Sequence, residues 1–521
     1  MTRSTFAIRT GCAAALAITL VRTAAAQTAE PYPGLDSYIA KAVKTWNIPG
    51  AAVAIVRNDS VIYAKGFGTL TTGNAAPVNE RTLFEIGSSS KAFTATTIAM
   101  LVTDGKMRWD APLAEYLPDF RLYDPLASGA VTIRDALSHR SGIARGELVW
   151  VGSGIGRDEV LHRVRFLKNE TPFRSQYSYQ NIMFLAAGQA AGKAAGSTWD
   201  DLVRQRIFTP LAMTSTSTTS SGLNHANMAV PHGLDHDTAF MKPEFDAQNI
   251  APAGSIVSNA VDMAQWLRFQ LSDGVVNGKR LVSSAALRET HTPQMIIPPA
   301  ARGPASDTAV LSHFTTYGFG WIVEDYRGQL VWQHGGNTPG MTTALGMLPE
   351  KKLGVVILSN MQSTPLPGIL ERYIFDRALG APVKDLSGEA YARSLVQRRR
   401  ADSVSKAMEA AHVAAGAAPL PLSAYAGTFT DSLYGKATVA LKNGKLELSH
   451  GDWSGPLEYW NATNFRWTLP PGAPLTQLFI KYEVSPDNTV SGLWFGLGGD
   501  ITLLNRVPVP RAGRAAGAGV P

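Results

Sequence analysis

A serine and a lysine separated by two residues stand at the start of a long apolar segment of this chain. Ser88 and Lys91 occupy positions i and i+3, which lie on one face of a helix with Cβ atoms about 5 to 6 Å apart. Residues 93–101 then place apolar side chains at helical spacing, which predicts a buried helix. This pattern brings a primary amine against a hydroxyl and is typical of a serine nucleophile activated by a lysine whose pKa is lowered. The alternative is a serine N-cap followed by a solvated lysine, which explains Ser88 alone.

A tyrosine and an asparagine form a second candidate. Tyr179 and Asn181 precede an apolar helical stretch, residues 182–191. We expect a tyrosine near two cations to lose its proton more easily and to carry it between nucleophile and leaving group. The amide of Asn181 can orient the substrate and the lysine together. Taken alone, Tyr179 indicates a tyrosine of the core more than a catalytic one.

A histidine followed by two glycines forms a third candidate. His334, Gly335 and Gly336 follow a predicted apolar strand at residues 330–332. Glycines on a strand beside a site allow a substrate backbone to approach closely. Taken alone, His334 indicates a histidine in a turn more than a functional one.

In this order, the S-x-x-K, Y-x-N and H-x-G motifs resemble the active-site motifs of the penicillin-binding protein and class C β-lactamase superfamily. The resemblance covers residues 32–379 and includes family-like phrases at residues 133–142 and 317–321. It implies an α/β (α+β) domain of the β-lactamase/transpeptidase type. Such a domain has an antiparallel sheet flanked by helices, together with a helical subdomain.

The resemblance also implies roles for individual residues. Ser88 corresponds to the acylated nucleophile, Lys91 to its proton acceptor and Tyr179 to the second acid/base group. Asn181 is implied to bind a substrate amide. The implied oxyanion hole consists of the backbone N–H groups of Ser88 and Asn337, at about 3 to 4 kcal/mol per donor.

His334 and Gly336 complete the implied substrate-binding and oxyanion group. His334 stands where many β-lactamases have the lysine of K-T-G, and a histidine there is similar to certain D-amino-acid peptidases, carboxypeptidases and esterases of the superfamily. Gly335 replaces the usual threonine and removes a carboxylate-binding hydroxyl. We therefore regard a β-lactam or a free C-terminal carboxylate as the less favoured natural ligand.

The first residues of the chain have the features of a signal peptide. Arg3 and Arg9 precede an apolar stretch at residues 12–21, and small residues precede Gln27. This stretch is shorter than the roughly 20 apolar residues that a membrane-spanning helix needs. We expect residues 1–26 to be cleaved, the protein to be periplasmic or secreted, and the mature chain to have no integral membrane segment.

The rest of the chain divides into segments that differ in their sequence pattern. Residues 27–385 are predicted to form the catalytic domain, and residues 386–420 a helical linker rich in alanine and charge. From residue 421 to 508 the pattern changes to short alternating segments, with a hairpin signal at Asn443 and Gly444. This favours a small antiparallel barrel or sandwich. The segment resembles the lipocalin-like C-terminal domains of some penicillin-binding-protein-like hydrolases, which implies a small all-β barrel. Residues 509–521 are predicted to be disordered.

Composition narrows the choice of partners. There are 48 lysines and arginines against 41 acidic residues, and no stripe of arginines is interleaved with aromatics, so we expect no nucleic-acid partner. The one cysteine, Cys12, lies within the predicted signal peptide. A group around His232 has ligand-type residues but follows Pro231 and contains Gly233, which favours a loop over a metal site. We expect no cofactor and no metal, and nothing in the sequence indicates an oligomeric state.

Together these observations predict an exported serine hydrolase that acts through an acyl-enzyme on a small-molecule or short-peptide substrate. A peptidase or amidase of the D-amino-acid type is favoured. The alternatives are a carboxylesterase and a β-lactamase, and a further alternative is a penicillin-binding-like receptor without turnover.

Overall fold

The computed structural model describes residues 30–235, 237–299, 312–413, 416–497 and 500–508. The predicted signal peptide and the predicted disordered tail lie outside the described residues.

An eight-stranded antiparallel sheet forms the centre of the larger domain. The strands of this domain are β1 (Gly50–Arg57), β2 (Ser60–Gly68), β3 (Phe84–Glu85), β4 (His232–Asp235), β5 (Thr238–Met241), β6 (Val257–Ser258), β7 (Val275–Val276), β8 (Lys279–Arg280), β9 (Met295–Ile296), β10 (Thr315–Tyr317), β11 (Ile322–Tyr326), β12 (Gln329–Thr338), β13 (Met341–Leu348) and β14 (Leu353–Ser359). The order in the sheet is β2-β1-β14-β13-β12-β11-β10-β9. Three short pairs, β3 with β6, β4 with β5, and β7 with β8, lie outside it.

Helices cover both faces of this sheet. They are α1 (Leu35–Thr45), α2 (Ser90–Thr103), α3 (Leu113–Tyr116), α4 (Pro125–Ala130), α5 (Ile133–Leu137), α6 (Glu147–Trp150), α7 (Arg157–Arg163), α8 (Asn181–Ala195), α9 (Trp199–Val203), α10 (Ala251–Gly254), α11 (Ala260–Leu271), α12 (Ser284–Thr290) and α13 (Leu366–Ala378). Val53 and Ile55 of β1 pack in the apolar cluster of α1 and α13, whereas Ala52 and Ala54 face the cluster of α2 and α11. This alternation follows from the two-residue period of a strand, and burial on both faces explains the nearly continuous apolar sequence of β1.

The helix after Ser88 is the buried helix that the sequence predicts. Residues 90–101 of α2 are buried around the whole circumference. A helix that is enclosed in this way is held by its neighbours, and α2 packs against α8, α10 and α12. The fold prediction for the larger domain is therefore confirmed.

A closed barrel of eight antiparallel strands forms the C-terminal part, as predicted. Its strands are β15 (Gly427–Asp431), β16 (Gly435–Lys442), β17 (Lys445–His450), β18 (Trp453–Asn461), β19 (Asn464–Thr468), β20 (Gln477–Val484), β21 (Val490–Phe495) and β22 (Thr502–Arg506). Asn443 and Gly444, with φ of 50° and 75°, turn β16 into β17, which confirms the predicted hairpin. Leu446 and Leu448 of β17 point inward between more exposed neighbours.

A long helix, α14 (Leu386–Val413), and a short one, α15 (Leu422–Tyr425), lie between the two parts. The start of α14 is attached to the larger domain, because Trp46 Nε1 donates to Ser387 Oγ at 3.0 Å. Within the described ranges, none of the helices combines the length and hydropathy that crossing a bilayer requires.

The barrel contacts the larger domain beside the loop that follows α6. The Asp452 N–H donates to the Gly152 carbonyl at 2.8 Å, and a Cβ on Gly152 would lie 2.1 Å from the Trp453 indole. At a second place, Lys242 Nζ donates to the Ala473 carbonyl at 3.0 Å. The barrel is thus held at two points on the larger domain.

Candidate active site

Ser88 lies in a 3-10 turn, Gly87–Ser89, which leads directly into α2. The end of β12 runs against this turn. A Cβ on Gly336 would lie 1.9 Å from the Ile86 carbonyl oxygen, and a Cβ on Gly87, where φ is 51°, would lie 2.9 Å from the Asn337 nitrogen. Glycine at both positions therefore allows the strand that carries Asn337 to approach the backbone of the nucleophile turn.

Lys91 is fully buried, and its amine contacts Ser88. Lys91 Nζ lies 2.9 Å from Ser88 Oγ, 2.8 Å from Asn181 Oδ1 and 2.8 Å from the Ala253 carbonyl oxygen. Burial lowers the pKa of the Lys91 ammonium well below its ordinary value, and the Arg145 charge lowers it further against the opposing effect of Glu147. The lysine is therefore poised as a neutral base.

These partners determine how a neutral Lys91 amine distributes its hydrogens. A carbonyl oxygen can only accept, so the two N–H groups are directed to Ala253 and Asn181 Oδ1. The remaining lone pair then faces Ser88 Oγ and accepts the hydroxyl proton. This is the arrangement that general-base activation of a serine requires.

Tyr179 contacts the same oxygen from another direction. Its hydroxyl donates to Ser88 Oγ at 2.7 Å, and Lys91 Nζ lies 4.8 Å from the centre of its ring. Burial raises the pKa of Tyr179 above its ordinary value, although the Ser88 hydrogen bond and the Arg145 charge act in the opposite direction. The expectation that nearby cations make this proton easier to lose is therefore wrong, because the cost of burying a phenolate is larger. Tyr179 is a neutral hydrogen-bond donor.

An ion pair between Arg145 and Glu147 lies next to Asn181 and Tyr179. Asn181 Nδ2 donates to Glu147 Oε1 at 3.1 Å, which orients the amide so that Oδ1 faces Lys91. Arg145 Nε donates to the same carboxylate oxygen at 2.9 Å, and its guanidinium lies 5.2 Å from the centre of the Tyr179 ring. The sequence did not single out Arg145 or Glu147. They act across a tertiary contact, and no spacing signal links them to the motifs.

His139 is a further buried group beside Tyr179. It has a positive φ of 58°, and its Nδ1 accepts the Gln180 N–H at 3.0 Å. The His139 and Tyr179 ring centres are 4.3 Å apart. His139 therefore positions both ends of the Tyr179–Gln180 segment, and the family-like phrase at residues 133–142 was the only sequence signal for it.

The predicted H-x-G segment forms part of β12 instead of following the strand. His334 is only 4% exposed, with its side chain on the same face of the strand as Gly336. Tyr317 and the Gly335 carbonyl oxygen contact its two ring nitrogens, at 2.9 and 2.7 Å. Burial lowers the pKa of His334 to about 3, so the imidazole is neutral near neutral pH.

The structure therefore brings Ser88, Lys91, Tyr179 and Asn181 into one hydrogen-bonded group, with Asn337 on the adjoining strand. His334 reaches the same region but is turned into the core.

The predicted loop around His232 is instead a two-stranded hairpin formed by β4 and β5. His232 Nε2 contacts the Thr72 N–H at 3.1 Å, and Nδ1 lies 3.1 Å from the Asn360 carbonyl oxygen. The histidine is thus part of the packing between the hairpin and the sheet.

The chain is similar to several known proteins. The chain is 28% identical over 440 residues to the unguisins hydrolase ungD of Aspergillus violaceofuscus, which covers 78% of this chain and 76% of the relative. The octameric penicillin-binding protein homologue from Pyrococcus abyssi has a similar fold, with a TM-score of 0.59 and 21% identity over 90% of this chain and 99% of that one. The D-amino acid amidase from Ochrobactrum anthropi SV3 matches with a TM-score of 0.55 and 22% identity over 66% and 97% of the two chains.

Family models cover both parts of the chain. A domain of unknown function, DUF3471, matches residues 411–499, which include most of the barrel. The model described as Beta-lactamase matches residues 35–379, the larger domain with its active site. Because this match covers more than half of the chain, the protein belongs to the beta-lactamase family of serine hydrolases.

Proposed function

We propose that this serine hydrolase cleaves amides of the D-amino-acid type through an acyl-enzyme on Ser88. The observation that carries the proposal is that Ser88 Oγ is within 2.9 Å of a buried amine and 2.7 Å of a neutral phenol. One group can remove a proton from the nucleophile while the other can give a proton to the leaving group.

In the acylation step, the Ser88 hydroxyl transfers its proton to Lys91 as Oγ bonds to the substrate carbonyl carbon. The negative charge on the carbonyl oxygen is placed against the backbone N–H groups of Ser88 and Asn337, where each donor contributes about 3 to 4 kcal/mol. Tyr179 then protonates the leaving nitrogen as the C–N bond breaks, and Lys91 returns the proton to Tyr179. Both groups end this step in the protonation state in which they began.

Deacylation uses the same groups, with water as the nucleophile and the Ser88 oxygen as the leaving group. Water loses a proton to the neutral Lys91 amine as its oxygen bonds to the acyl carbon. The Ser88 oxygen regains a proton from Tyr179 when the ester breaks, and Lys91 then returns its proton to Tyr179. The products are the free acid and the unmodified serine.

The protonation state of Tyr179 supports an amide substrate. An amine is a poor leaving group until it is protonated, so a phenol that keeps its proton at neutral pH suits C–N cleavage. The fold shared with a D-amino acid amidase and the similarity to an unguisins hydrolase also support this class. Ester cleavage is the second candidate, because Ser88 can also act as the nucleophile for an ester. It depends less on a general acid than amide cleavage does.

The experiment compares substrates on the purified protein. We expect steady release of p-nitroaniline from D-alanine p-nitroanilide, slower release from the L enantiomer, and no release by Ser88→Ala. Turnover of p-nitrophenyl acetate without the anilide would favour a carboxylesterase, and preferential opening of nitrocefin would favour a β-lactamase. A single stoichiometric burst on all substrates would contradict turnover and favour a receptor.

We also propose that the protein is exported and works in the periplasm or outside the cell. The basis is the pattern of Arg3 and Arg9 before the apolar stretch at residues 12–21. Mass spectrometry of the protein from the periplasmic and culture fractions tests this. We expect a mature N-terminus at Gln27, and an uncleaved chain found only in the cytoplasm would contradict export.

A further inference from the structure

Tyr317 is fully buried and hydrogen-bonded to the histidine of the H-x-G segment. Its hydroxyl lies 2.9 Å from His334 Nε2. The other ring nitrogen, Nδ1, lies 2.7 Å from the Gly335 carbonyl oxygen. Both nitrogens of His334 are thereby engaged inside the protein.

These two contacts determine the tautomer of His334. A carbonyl oxygen can only accept a hydrogen bond, so Nδ1 must carry the hydrogen. Nε2 is then the acceptor, and the Tyr317 hydroxyl donates to it. His139 has the opposite arrangement, because its Nδ1 accepts the Gln180 N–H and its single hydrogen must therefore lie on Nε2.

The surroundings keep His334 uncharged. Burial is the largest cause of the low His334 pKa, and it disfavours the charged imidazolium. The Tyr317 ring is itself enclosed, with ring centres of His139 at 4.5 Å and Tyr177 at 5.7 Å. His334 shares a face of β12 with Gly336, which adjoins the nucleophile turn, so an unengaged polar side chain there could meet a carboxylate on the substrate. Here the side chain is neutral and both ring nitrogens are engaged.

We propose that Tyr317 is a specificity-determining residue that holds His334 away from the cleft and so disfavours substrates with a carboxylate on the leaving group. This inference rests on the proposed hydrolysis at Ser88 and deepens it, since it restricts the substrate to uncharged leaving groups. Tyr317 touches His334 and not the reacting atoms, so it is a positioning residue.

A matched pair of esters tests this inference. meta-Acetoxybenzoate and its methyl ester transfer the same acetyl group, and their leaving phenols differ mainly in charge. We expect the wild-type protein to prefer the methyl ester in kcat/KM. In Tyr317→Phe the ring volume is kept and His334 Nε2 loses its donor, so the imidazole can turn to the cleft and meet the carboxylate.

The expected change in Tyr317→Phe is a fall of about tenfold in the preference for the methyl ester, the size of one charge-assisted hydrogen bond. The change should appear as a lower KM for the carboxylate ester. Tyr63→Phe is the matched control, because Tyr63 is also buried and donates to Asp36 at 2.6 Å in a remote place. An unchanged preference in folded Tyr317→Phe, or an equal change in Tyr63→Phe, would overturn the proposal.

The tautomers can be measured in the wild-type protein, independently of any variant at Tyr317. Nitrogen NMR shifts of the histidine rings should show hydrogen on Nδ1 for His334 and also for His232, whose Nδ1 faces the Asn360 carbonyl oxygen. His139 should show hydrogen on Nε2. Loss of one Nδ1–H signal in His334→Gln would assign it. A His334 with hydrogen on Nε2, or a charged His334 near neutral pH, would contradict the inference.

The same ester pair separates this inference from the proposed function. A protein that hydrolyses neither ester nor D-alanine p-nitroanilide would contradict hydrolysis at Ser88 as proposed. A protein that hydrolyses both esters equally well would leave that hydrolysis standing and overturn the role of Tyr317.

Discussion

Asn181 Oδ1 accepts a hydrogen bond from Lys91 Nζ at 2.8 Å, while the amide nitrogen of Asn181 donates to Glu147. The asparagine therefore stands between a carboxylate and the amine that must stay neutral. It gives Lys91 an acceptor without giving it a negative charge.

Asn181→Asp should move the activity to higher pH. A carboxylate in contact with Lys91 would raise the lysine pKa, because an opposite charge favours the protonated form. Less of the neutral base would then be present at a given pH. We expect the rising limb of the pH profile of kcat/KM to shift upward by about one to three pH units.

The control for this variant is Asn181→Ala, which removes the acceptor without adding charge. It should lower activity without moving the limb upward. If the rising limb of the pH profile of kcat/KM stays at the same pH in Asn181→Asp, the pKa of the Lys91 amine does not determine that limb.

Tyr179→Phe should slow amide hydrolysis more than ester hydrolysis. The variant keeps the ring but removes the O–H that lies 2.7 Å from Ser88 Oγ. Loss of a general acid costs roughly 100-fold to 10,000-fold when the leaving group needs a proton. The measurement is kcat for D-alanine p-nitroanilide and for p-nitrophenyl acetate. Equal losses on both would argue against Tyr179 as the acid for the leaving group.

The sequence predicted the groups that follow a local pattern. Ser88 and Lys91 are about one helical turn apart at the start of α2, so spacing places the amine against the hydroxyl. The β16–β17 hairpin was readable from Asn443 and Gly444 for the same reason, since a two-residue turn is specified by its own residues.

Groups that act through tertiary contacts were not predictable in this way. Glu147 and Tyr317 are distant in sequence from the side chains that they orient, and neither belongs to a spacing pattern. The expectation about the Tyr179 proton failed because charges can be read from a sequence, whereas the depth of burial cannot. His334 was identified, but the orientation of its ring depends on Tyr317.

Glu85 should make the protein less stable as the pH rises. Burial raises the pKa of Glu85 to about 7, above the value of about 4.3 expected in the unfolded chain. The folded protein therefore holds a proton that the unfolded chain releases, and this stabilisation is complete at low pH and is lost as the pH rises through about 7.

Urea unfolding of wild type and Glu85→Gln at pH values below 5 and above 7 measures this contribution. Between the low-pH and the high-pH condition, we expect the free energy of unfolding of the wild type to fall by about 3 kcal/mol relative to that of Glu85→Gln. Glu371, whose pKa burial also raises to about 7, should behave in the same way in Glu371→Gln. Parallel pH profiles of the free energy of unfolding for wild type and Glu85→Gln would contradict a Glu85 carboxyl group that is protonated in the folded protein.

Gly152→Ala should loosen the attachment of the barrel. Gly152 has a φ of 59°, and a Cβ there would lie 2.1 Å from the Trp453 indole, so this buried side chain of the barrel must move. Gly105→Ala is the matched control, because Gly105 has a φ of 71° with no atom within 4 Å of its Cβ position. The control carries the backbone strain alone, about 1 kcal/mol.

We expect a larger fall in melting temperature for Gly152→Ala than for Gly105→Ala, together with faster proteolysis in residues 386–420. If the barrel narrows the mouth of the cleft, the activity on long D-amino-acid peptides should rise relative to short ones in Gly152→Ala. An unchanged ratio of long to short substrates would argue against that role for the barrel.

The two parts of the chain share one continuous apolar cluster, which includes Trp150 and Val151 of the larger domain and Trp453 of the barrel. Gene truncations that end before the barrel would remove Trp453 and the other barrel residues from this cluster and expose part of it to water. Such shortened products should aggregate or be degraded in the cell. Active protein should therefore accumulate only when the C-terminal barrel is present.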